Sequence, residues 1–249
     1  MTLSMTTGTG LAERIGIVAC SAEGAALCYR TFCAEAAAIL GPYAHPDVCL
    51  HGRSLACYVE LLDQGDWEGV AGLMLSSAEA LARAGADLLV CPDNTIHQAL
   101  PLLRHRSPLP WLHIADVVAD EATRRGYTRL GILGTQWLME GSVYSTVLGS
   151  RGVSALIPQL DDRGAIHTVI MDELVHGLVR QESLQRCQDA VLQLSDLGCE
   201  AVVLGCTELP LLLNDANTPL PTLDSTRLLA RAAAVATCGL PHHVPPTPA

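Results

Sequence analysis

Short apolar runs alternate along the chain with longer segments in which apolar residues recur at helical spacing. The short runs predict buried parallel strands, and the longer segments predict helices. This alternation is typical of βαβ units, so we predict an α/β fold with mainly parallel sheets flanked by helices. The predicted strands are residues 15–20, 87–91, 111–114, 130–133, 201–205 and 222–223, and the predicted helices are residues 25–40, 66–84, 117–125, 141–151 and 183–197.

Three short segments of the first half of the chain return in the second half, at offsets of 115, 113 and 111 residues. Nearly constant offsets indicate two copies of one α/β unit. Duplicated halves usually face each other across a pseudo-two-fold axis. The paired segments are residues 14–17 with 129–132, 87–91 with 200–204, and 108–110 with 219–221.

The repeat suggests how the chain is divided. We predict an N-terminal lobe at 12–115, a C-terminal lobe at 116–226, and a final helix at 227–240 that packs back on the N-terminal lobe. Residues 1–11 and the proline-rich residues 241–249 are predicted to be loose ends.

The composition is that of a compact globular protein, with 49% apolar and only 16% charged residues. A formal net charge of −11 argues against nucleic-acid or anionic-membrane partners, because both are bound by clustered lysines and arginines. No run of eighteen apolar residues occurs, so we expect no membrane span. A small carboxylate substrate remains compatible with this charge, because local amides and single arginines can outweigh the net field.

The ten cysteines form no Cys-x-x-Cys pair, and the nine histidines show no zinc spacing, so we expect no metal. No signal peptide is recognised. The thiols are therefore interpreted as reduced and the protein as cytoplasmic.

Two predicted strands end in small polar clusters that correspond in the repeat. Asp93 follows the strand at 87–91, and Cys206 follows the strand at 201–205, 113 residues later. Ligands of parallel sheets bind at the carboxyl ends of the strands. Two facing sites of this kind would put one proton-handling side chain on each side of a substrate, as the inversion of a carbon centre requires. Asp93 and Cys206 are the predicted catalytic residues.

The polar groups beside this pair are of the kind that grips a carboxylate. Arg53 is proposed for a distal carboxylate, which a guanidinium binds bidentately, although an exposed loop arginine is the alternative. Glu208 is expected to orient Thr207 or a backbone amide, or to act directly. Asp93 has the alternative role of a helix cap. The predicted substrate-binding residues are Ser21, Arg53, Asn94, Thr95, Thr135, Thr207 and Glu208.

Four of the motifs form a recognisable set: Cys-Pro-Asp-Asn-Thr-Ile-His at 91–97, Leu-Gly-Thr at 133–135, Leu-Gly-Cys-Thr-Glu-Leu-Pro at 204–210 and Leu-Asp-Ser-Thr at 223–226. The set resembles the aspartate/glutamate racemase superfamily, which includes broad-specificity amino-acid racemases, hydantoin racemases, maleate isomerases and arylmalonate decarboxylases. The resemblance implies two Rossmann-like lobes with the active site between them. It also implies that no cofactor is used, pyridoxal phosphate included, and that the protein is a homodimer.

The resemblance implies a racemase or epimerase that acts at the α-carbon of an amino acid or related carboxylate, similar to aspartate or glutamate. In the family's racemases both catalytic positions are cysteines, whereas the first is Asp93 here. An aspartate with a pKa near 3.9 is a poor base unless burial raises that pKa. Cys91 is a possible substitute, but the strand end is expected to aim it into the core.

Three further readings stay open at this point. The first is a one-thiol decarboxylase or isomerase in which Asp93 binds or polarises the substrate. The second is a paralogue without racemase activity. The third is a non-catalytic carboxylate-binding protein, since the same twofold architecture serves solute-binding and sensor proteins.

Overall fold

The computed structural model describes residues 13–239. Within them, seven strands form two parallel sheets flanked by helices, which confirms the predicted fold class. The first sheet has the order β2-β1-β3 and the second the order β5-β4-β6-β7. The strands are β1 (Arg14–Ala19), β2 (Asp47–Gly52), β3 (Leu88–Val90), β4 (Arg129–Leu133), β5 (Ser154–Leu156), β6 (Ala201–Leu204) and β7 (Thr222–Asp224).

The helices connect these strands and cover both sheets. Four short turns lie between them: 3-10 helices at Thr95–Ala99, Leu174–His176 and Leu209–Leu211, and a π-helical turn at Val169–Glu173. The helices are α1 (Ala22–Leu40), α2 (Leu55–Asp63), α3 (Trp67–Arg83), α4 (Leu100–Leu103), α5 (Ile114–Arg125), α6 (Gln136–Glu140), α7 (Val143–Ser150), α8 (Leu160–Thr168), α9 (Gln181–Asp196) and α10 (Ser225–Cys238). No helix in this part of the chain is long and apolar enough to cross a membrane.

The two sheets share one local arrangement. In the first sheet β1 lies between β2 and β3, and in the second β4 lies between β5 and β6. The first strand of each sheet is therefore central, and the strand ends that precede Asp93 and Cys206 lie beside it. This shared order is the structural counterpart of the sequence repeat.

The strand predicted at 111–114 is wrong. Only one bridge forms there, between Leu89 and Trp111. The ladder cannot extend upstream because Pro108 and Pro110 have no N–H to donate. It ends downstream because the ring of His113 accepts a hydrogen bond from Ala115 N at 3.2 Å and so starts α5.

The last helix packs against the first sheet and its helix. Its alanine-rich face allows close approach to α1, since alanine side chains are short. The lobe limits 12–115 and 116–226 and the final unit 227–240 stay predictions; residues 12 and 240, like the predicted loose ends, lie outside the described residues. The residues of this contact are Leu229, Ala230, Ala233 and Ala234 of α10, with Ile15, Ile17, Cys28, Phe32 and Ala36 of the N-terminal half.

Candidate active site

A small cavity of about 40 Å³ lies where the carboxyl ends of strands from both sheets meet. Each strand end contributes polar side chains because the residue after a parallel strand faces this edge of the sheet. The residues come from the ends of β1, β3, β4 and β6. The polar lining residues are Cys20, Ser21, Asp93, Thr95, Thr135, Cys206 and Glu208.

The structure brings most of the predicted site residues together. Both predicted catalytic residues, Asp93 and Cys206, line the cavity, as do four of the predicted substrate-binding residues. Asn94 and Thr207 are buried without being part of the lining. Arg53 is exposed, outside the cavity, and donates a hydrogen bond to Ser76 Oγ at 2.9 Å.

A chain of hydrogen bonds leads to the carboxylate of Glu208. Cys206 Sγ donates to Glu208 Oε2 at 3.0 Å, and Thr207 Oγ1 donates to the same oxygen at 2.6 Å. Since the single proton of Thr207 is used there, the Ser21 hydroxyl must donate to Thr207 Oγ1, 3.2 Å away. Ser21 Oγ in turn accepts from Gly24 N at 3.1 Å as the cap of α1. Glu208 is therefore held between the thiol and the other half of the molecule.

The absence of a side chain at Gly24 allows the first turn of α1 to approach Thr207 closely enough for these hydrogen bonds. A Cβ at this position would lie 2.5 Å from Thr207 Cγ2, a distance that methyl groups do not tolerate. Any larger residue would push the first turn of α1 away from Thr207 and stretch the contact between Ser21 and Thr207.

The surroundings of Cys206 favour its thiol form. Burial raises the pKa of Cys206 well above its ordinary value, and the charge of Glu208 and the hydrogen bond to it raise it further. At neutral pH this residue is therefore an acid that has a proton to give.

Asp93 is in the opposite protonation state to Cys206 at neutral pH. Burial raises the pKa of Asp93 to about 6, the charge of Glu208 acts in the same direction, and contacts with the Cys20 thiol and with the N–H groups of Ile96 and Thr95 oppose the rise. At neutral pH Asp93 is mostly ionised, but it is a far stronger base than an ordinary aspartate. Its carboxyl also lies against the first N–H groups of the helix Thr95–Ala99, although the N-cap position of that helix is Asn94, whose side chain makes no capping hydrogen bond.

A second pair of hydroxyls joins the two halves across the cavity. Thr95 Oγ1 and Thr135 Oγ1 are 2.9 Å apart, and Thr135 Oγ1 also accepts from Leu138 N at 3.3 Å as the cap of α6. One of the two hydroxyl protons is used between them. The other has no partner among the hydrogen bonds of this pair and can be donated to a substrate oxygen.

Asn94 is fixed by groups of the second half. Tyr144 Oη donates to Asn94 Oδ1 at 2.6 Å, and Asn94 Nδ2 donates to Ser225 Oγ at 2.9 Å. Ser225 Oγ in turn donates a hydrogen bond to Leu204 O at 2.8 Å. Asn94 therefore positions the backbone next to Asp93 and is not among the groups that line the cavity.

Cys20 is a lining residue that the sequence analysis missed. It follows the last residue of β1, is 6% exposed, and its thiol lies against the carboxyl of Asp93. Burial raises the pKa of Cys20 well above its ordinary value, and the charge of Asp93 raises it further. A signal was available, because Cys20 directly precedes the predicted site residue Ser21 at the end of a predicted strand.

The remaining wall of the cavity is apolar and was also missed. It comes from α2, α6 and the irregular turns after α8, none of which the sequence pattern predicted. A π-helical turn often marks a functional site because it displaces side chains from regular spacing. The wall residues are Leu55, Val59, Leu62, Trp137, Ile170, Met171 and Val175.

Cys91, the possible substitute base, lies outside the lining. Cys91 is fully buried and does not line the cavity, so it does not face the same space as Asp93. Within residues 13–239, no group of three or more His, Cys, Asp and Glu side chains is arranged to hold a metal ion.

The chain is similar in sequence to known racemases. It is 25% identical over 155 residues to the glutamate racemase of Limosilactobacillus reuteri strain DSM 20016, which is 61% of this chain and 56% of that protein. It thus spans little more than half the length of this relative.

Solved structures match a larger share of the chain. A Yersinia pestis protein described as an Asp/Glu racemase is 29% identical, with a TM-score of 0.83 over 90% of this chain and 99% of the other. An aspartate racemase homologue from Pyrococcus horikoshii OT3 is 25% identical, with a TM-score of 0.77 over the same shares. The sequence model of the Asp/Glu/Hydantoin racemase family matches residues 15–233, which confirms the resemblance seen in the motifs. The chain therefore belongs to the Asp/Glu/Hydantoin racemase family.

Proposed function

We propose that this protein is a racemase or epimerase that moves a proton at the α-carbon of an amino acid, without a cofactor. One observation carries the proposal: Asp93 and Cys206, from the ends of β3 and β6 in different sheets, line the same cavity. A substrate between them has one proton-handling group toward each half of the molecule.

The two groups differ in protonation before the reaction starts. At neutral pH the raised pKa of Asp93, about 6, leaves it a carboxylate, while the raised pKa of Cys206 leaves it a thiol. Asp93 takes the α-proton, the C–H bond breaks, and its electron pair spreads into the substrate carboxylate. Cys206 then gives its proton to the opposite face of that carbon and becomes a thiolate. A proton passes from Asp93 to Cys206 through solvent to restore the starting state.

The Cys206 thiol is held in place before the reaction. It donates to Glu208 Oε2, which also accepts from Thr207, so the sulfur is fixed in position and the thiol form is favoured until its proton is turned toward the substrate. Glu208 is thus a positioning residue for Cys206 in this proposal. The unused hydroxyl proton of the Thr95 and Thr135 pair binds the substrate carboxylate and stabilises the charge that develops there.

We also propose that the protein is a homodimer in the cytoplasm and that no metal takes part in the reaction. The one-thiol decarboxylase remains the competing reaction, because it uses Cys206 and leaves Asp93 as a binding group.

The test is incubation of the protein in deuterated water with pure enantiomers of amino acids and with substituted malonates. We expect deuterium at the α-carbon of an amino acid and the appearance of its other enantiomer, measured by NMR and chiral chromatography. Release of carbon dioxide from a malonate, without exchange in any amino acid, would replace racemisation by decarboxylation.

A further inference from the structure

The charges of the cavity are one-sided. The chain contains no lysine, and none of its arginines, all of which lie within the described residues, lines the cavity. The lining does contain two carboxyl side chains, those of Asp93 and Glu208. A second carboxylate on the substrate would therefore enter a space with two acids and no cation, which raises its free energy strongly.

Three basic side chains, on the elements that form the wall or next to them in the chain, are engaged with other groups. Arg53 is directed to Ser76, and Arg163 forms an ion pair with Glu140 at 2.9 Å. His167 packs edge-on against Trp137, with 4.7 Å between ring centroids, and accepts a hydrogen bond from Gln136 N. Burial lowers the pKa of His167, so it is neutral at pH 7 and supplies no positive charge.

The apolar part of the lining suits a hydrocarbon. Seven apolar residues from α2, α6 and the turns after α8 face the cavity, as described above. Met171 is the most adaptable of them, because its side chain is unbranched and has three rotatable bonds. The cavity of about 40 Å³ is far smaller than ordinary ligand pockets, which start at roughly 300 Å³, so this wall must shift outward for a side chain to enter.

We infer that the substrate is an α-amino acid with an apolar side chain and a single carboxylate, and not aspartate or glutamate. This rests on the proposed function, since it names the substrate of the same site. The ammonium group of the amino acid lies near Asp93 and Glu208, its carboxylate meets the Thr95 and Thr135 hydroxyls, and its side chain meets the apolar wall. The zwitterion adds no net charge to the acidic cavity.

The test compares α-deuterium exchange of leucine, methionine, aspartate and glutamate at equal concentration. We expect the two apolar amino acids to exchange at least about 100-fold faster than the two acidic ones, because the acidic side chains are desolvated without a partner. Exchange of aspartate or glutamate at a similar or higher rate would overturn this inference and leave the proposed function standing. Exchange of none of a full amino-acid panel would overturn the proposed function itself.

A variant tests whether the lack of a cation in the lining causes the preference for apolar over acidic amino acids. Leu55→Arg places a guanidinium on the partly buried apolar wall at the start of α2, and we expect it to reduce the preference for leucine over glutamate by about 10-fold or more. Leu178→Arg is the matched control, since Leu178 is 46% exposed and does not line the cavity. Equal changes in both variants would show that the effect comes from net charge and would contradict the assignment of the wall.

Discussion

The two sides of the cavity carry the same chemical groups in different places. Toward the first sheet, the carboxylate of Asp93 follows β3 and the thiol of Cys20 follows β1. Toward the second sheet, the thiol of Cys206 follows β6, and the carboxylate that contacts it is Glu208, two residues later. Each side therefore has one thiol and one carboxylate in contact, although Asp93 and Cys206 are the residues that correspond in the sequence repeat.

The difference lies in which member of each pair occupies the end of the third strand. There the first side presents a carboxylate whose pKa is raised to about 6, and the second side presents a thiol whose pKa is raised well above its ordinary value. In the proposed reaction, this arrangement keeps a base on one side of the substrate and an acid on the other at neutral pH. Four substitutions would break or sharpen this comparison.

The largest effect is expected from Cys206→Ser. A serine hydroxyl is a much weaker acid than a thiol, so racemisation should fall by about 10³-fold while the affinity for the amino acid changes little. The measurement is the rate of racemisation followed by chiral chromatography, together with binding by calorimetry. Cys187→Ser is the control, because Cys187 is fully buried in the core beneath β6. Full activity in Cys206→Ser would remove this thiol from the reaction.

Glu208→Gln should have the next largest effect on rate. Glutamine offers the Cys206 thiol and the Thr207 hydroxyl a neutral oxygen, which is a weaker acceptor and holds the thiol less firmly. It also loses the charge that raises the pKa of Cys206. We expect a loss of about 10-fold to 100-fold in kcat and a lower pKa for alkylation of Cys206 by iodoacetamide. Glu182→Gln, on the exposed face of α9, is the control. An alkylation profile that does not move would show that Glu208 does not act through the thiol.

The sequence predicted the parts of this site that follow from strand ends. Asp93 and Cys206 were found because parallel strands deliver the next residue to one edge of the sheet, and the repeat paired them. Arg53 was chosen for its chemistry alone, and its exposed place beside Ser76 depends on how α2 and α3 pack, which no local pattern encodes.

The apolar wall was missed for a related reason. Ile170, Met171 and Val175 lie on π-helical and 3-10 turns, where side chains depart from helical spacing, and Leu55 and Val59 lie on a helix of only nine residues. Short and irregular elements give weak periodic signals. The strand predicted at 111–114 forms a single bridge because Pro108 and Pro110, just before it, lack N–H donors and α5 begins at Ile114.

Asp93→Asn should stabilise the fold in a pH-dependent way. The pKa of Asp93 is raised from 3.8 to about 6 in the folded protein, so the stability that the protonated acid contributes is fully present below pH 3.8 and is lost as pH rises through 6. Above pH 7 the variant should be more stable by up to about 3 kcal/mol, and the difference should shrink below pH 4. Denaturant unfolding at several pH values measures it, with exposed Asp196→Asn as the control. A variant that is less stable at pH 8 than at pH 4, relative to the wild type, would contradict the pKa.

The smallest effect is expected from Cys20→Ala. Contact with the Cys20 thiol opposes the rise in the pKa of Asp93, so its removal should raise that pKa and shift the acidic limb of the pH profile upward, with a change of only a few-fold in rate at pH 8. Cys20→Ser keeps a hydrogen-bond donor and should restore the limb. Cys28→Ala, in the core below β1, is the control. A loss in Cys20→Ala as large as that in Cys206→Ser would make Cys20 the base and Asp93 its partner.

The division of labour between Asp93 and Cys206 is tested most directly by deuterium exchange from each pure enantiomer of one substrate, in Asp93→Asn and in Cys206→Ser. Each variant keeps the group on one face and lacks it on the other. We predict that Cys206→Ser still exchanges the α-proton of the enantiomer that presents it to Asp93, and that Asp93→Asn exchanges that of the other enantiomer only, at a rate that rises with pH as the Cys206 thiol ionises. Racemisation should fall steeply in both variants. Unchanged exchange of both enantiomers in Asp93→Asn, or loss of the same enantiomer in both variants, would contradict the account.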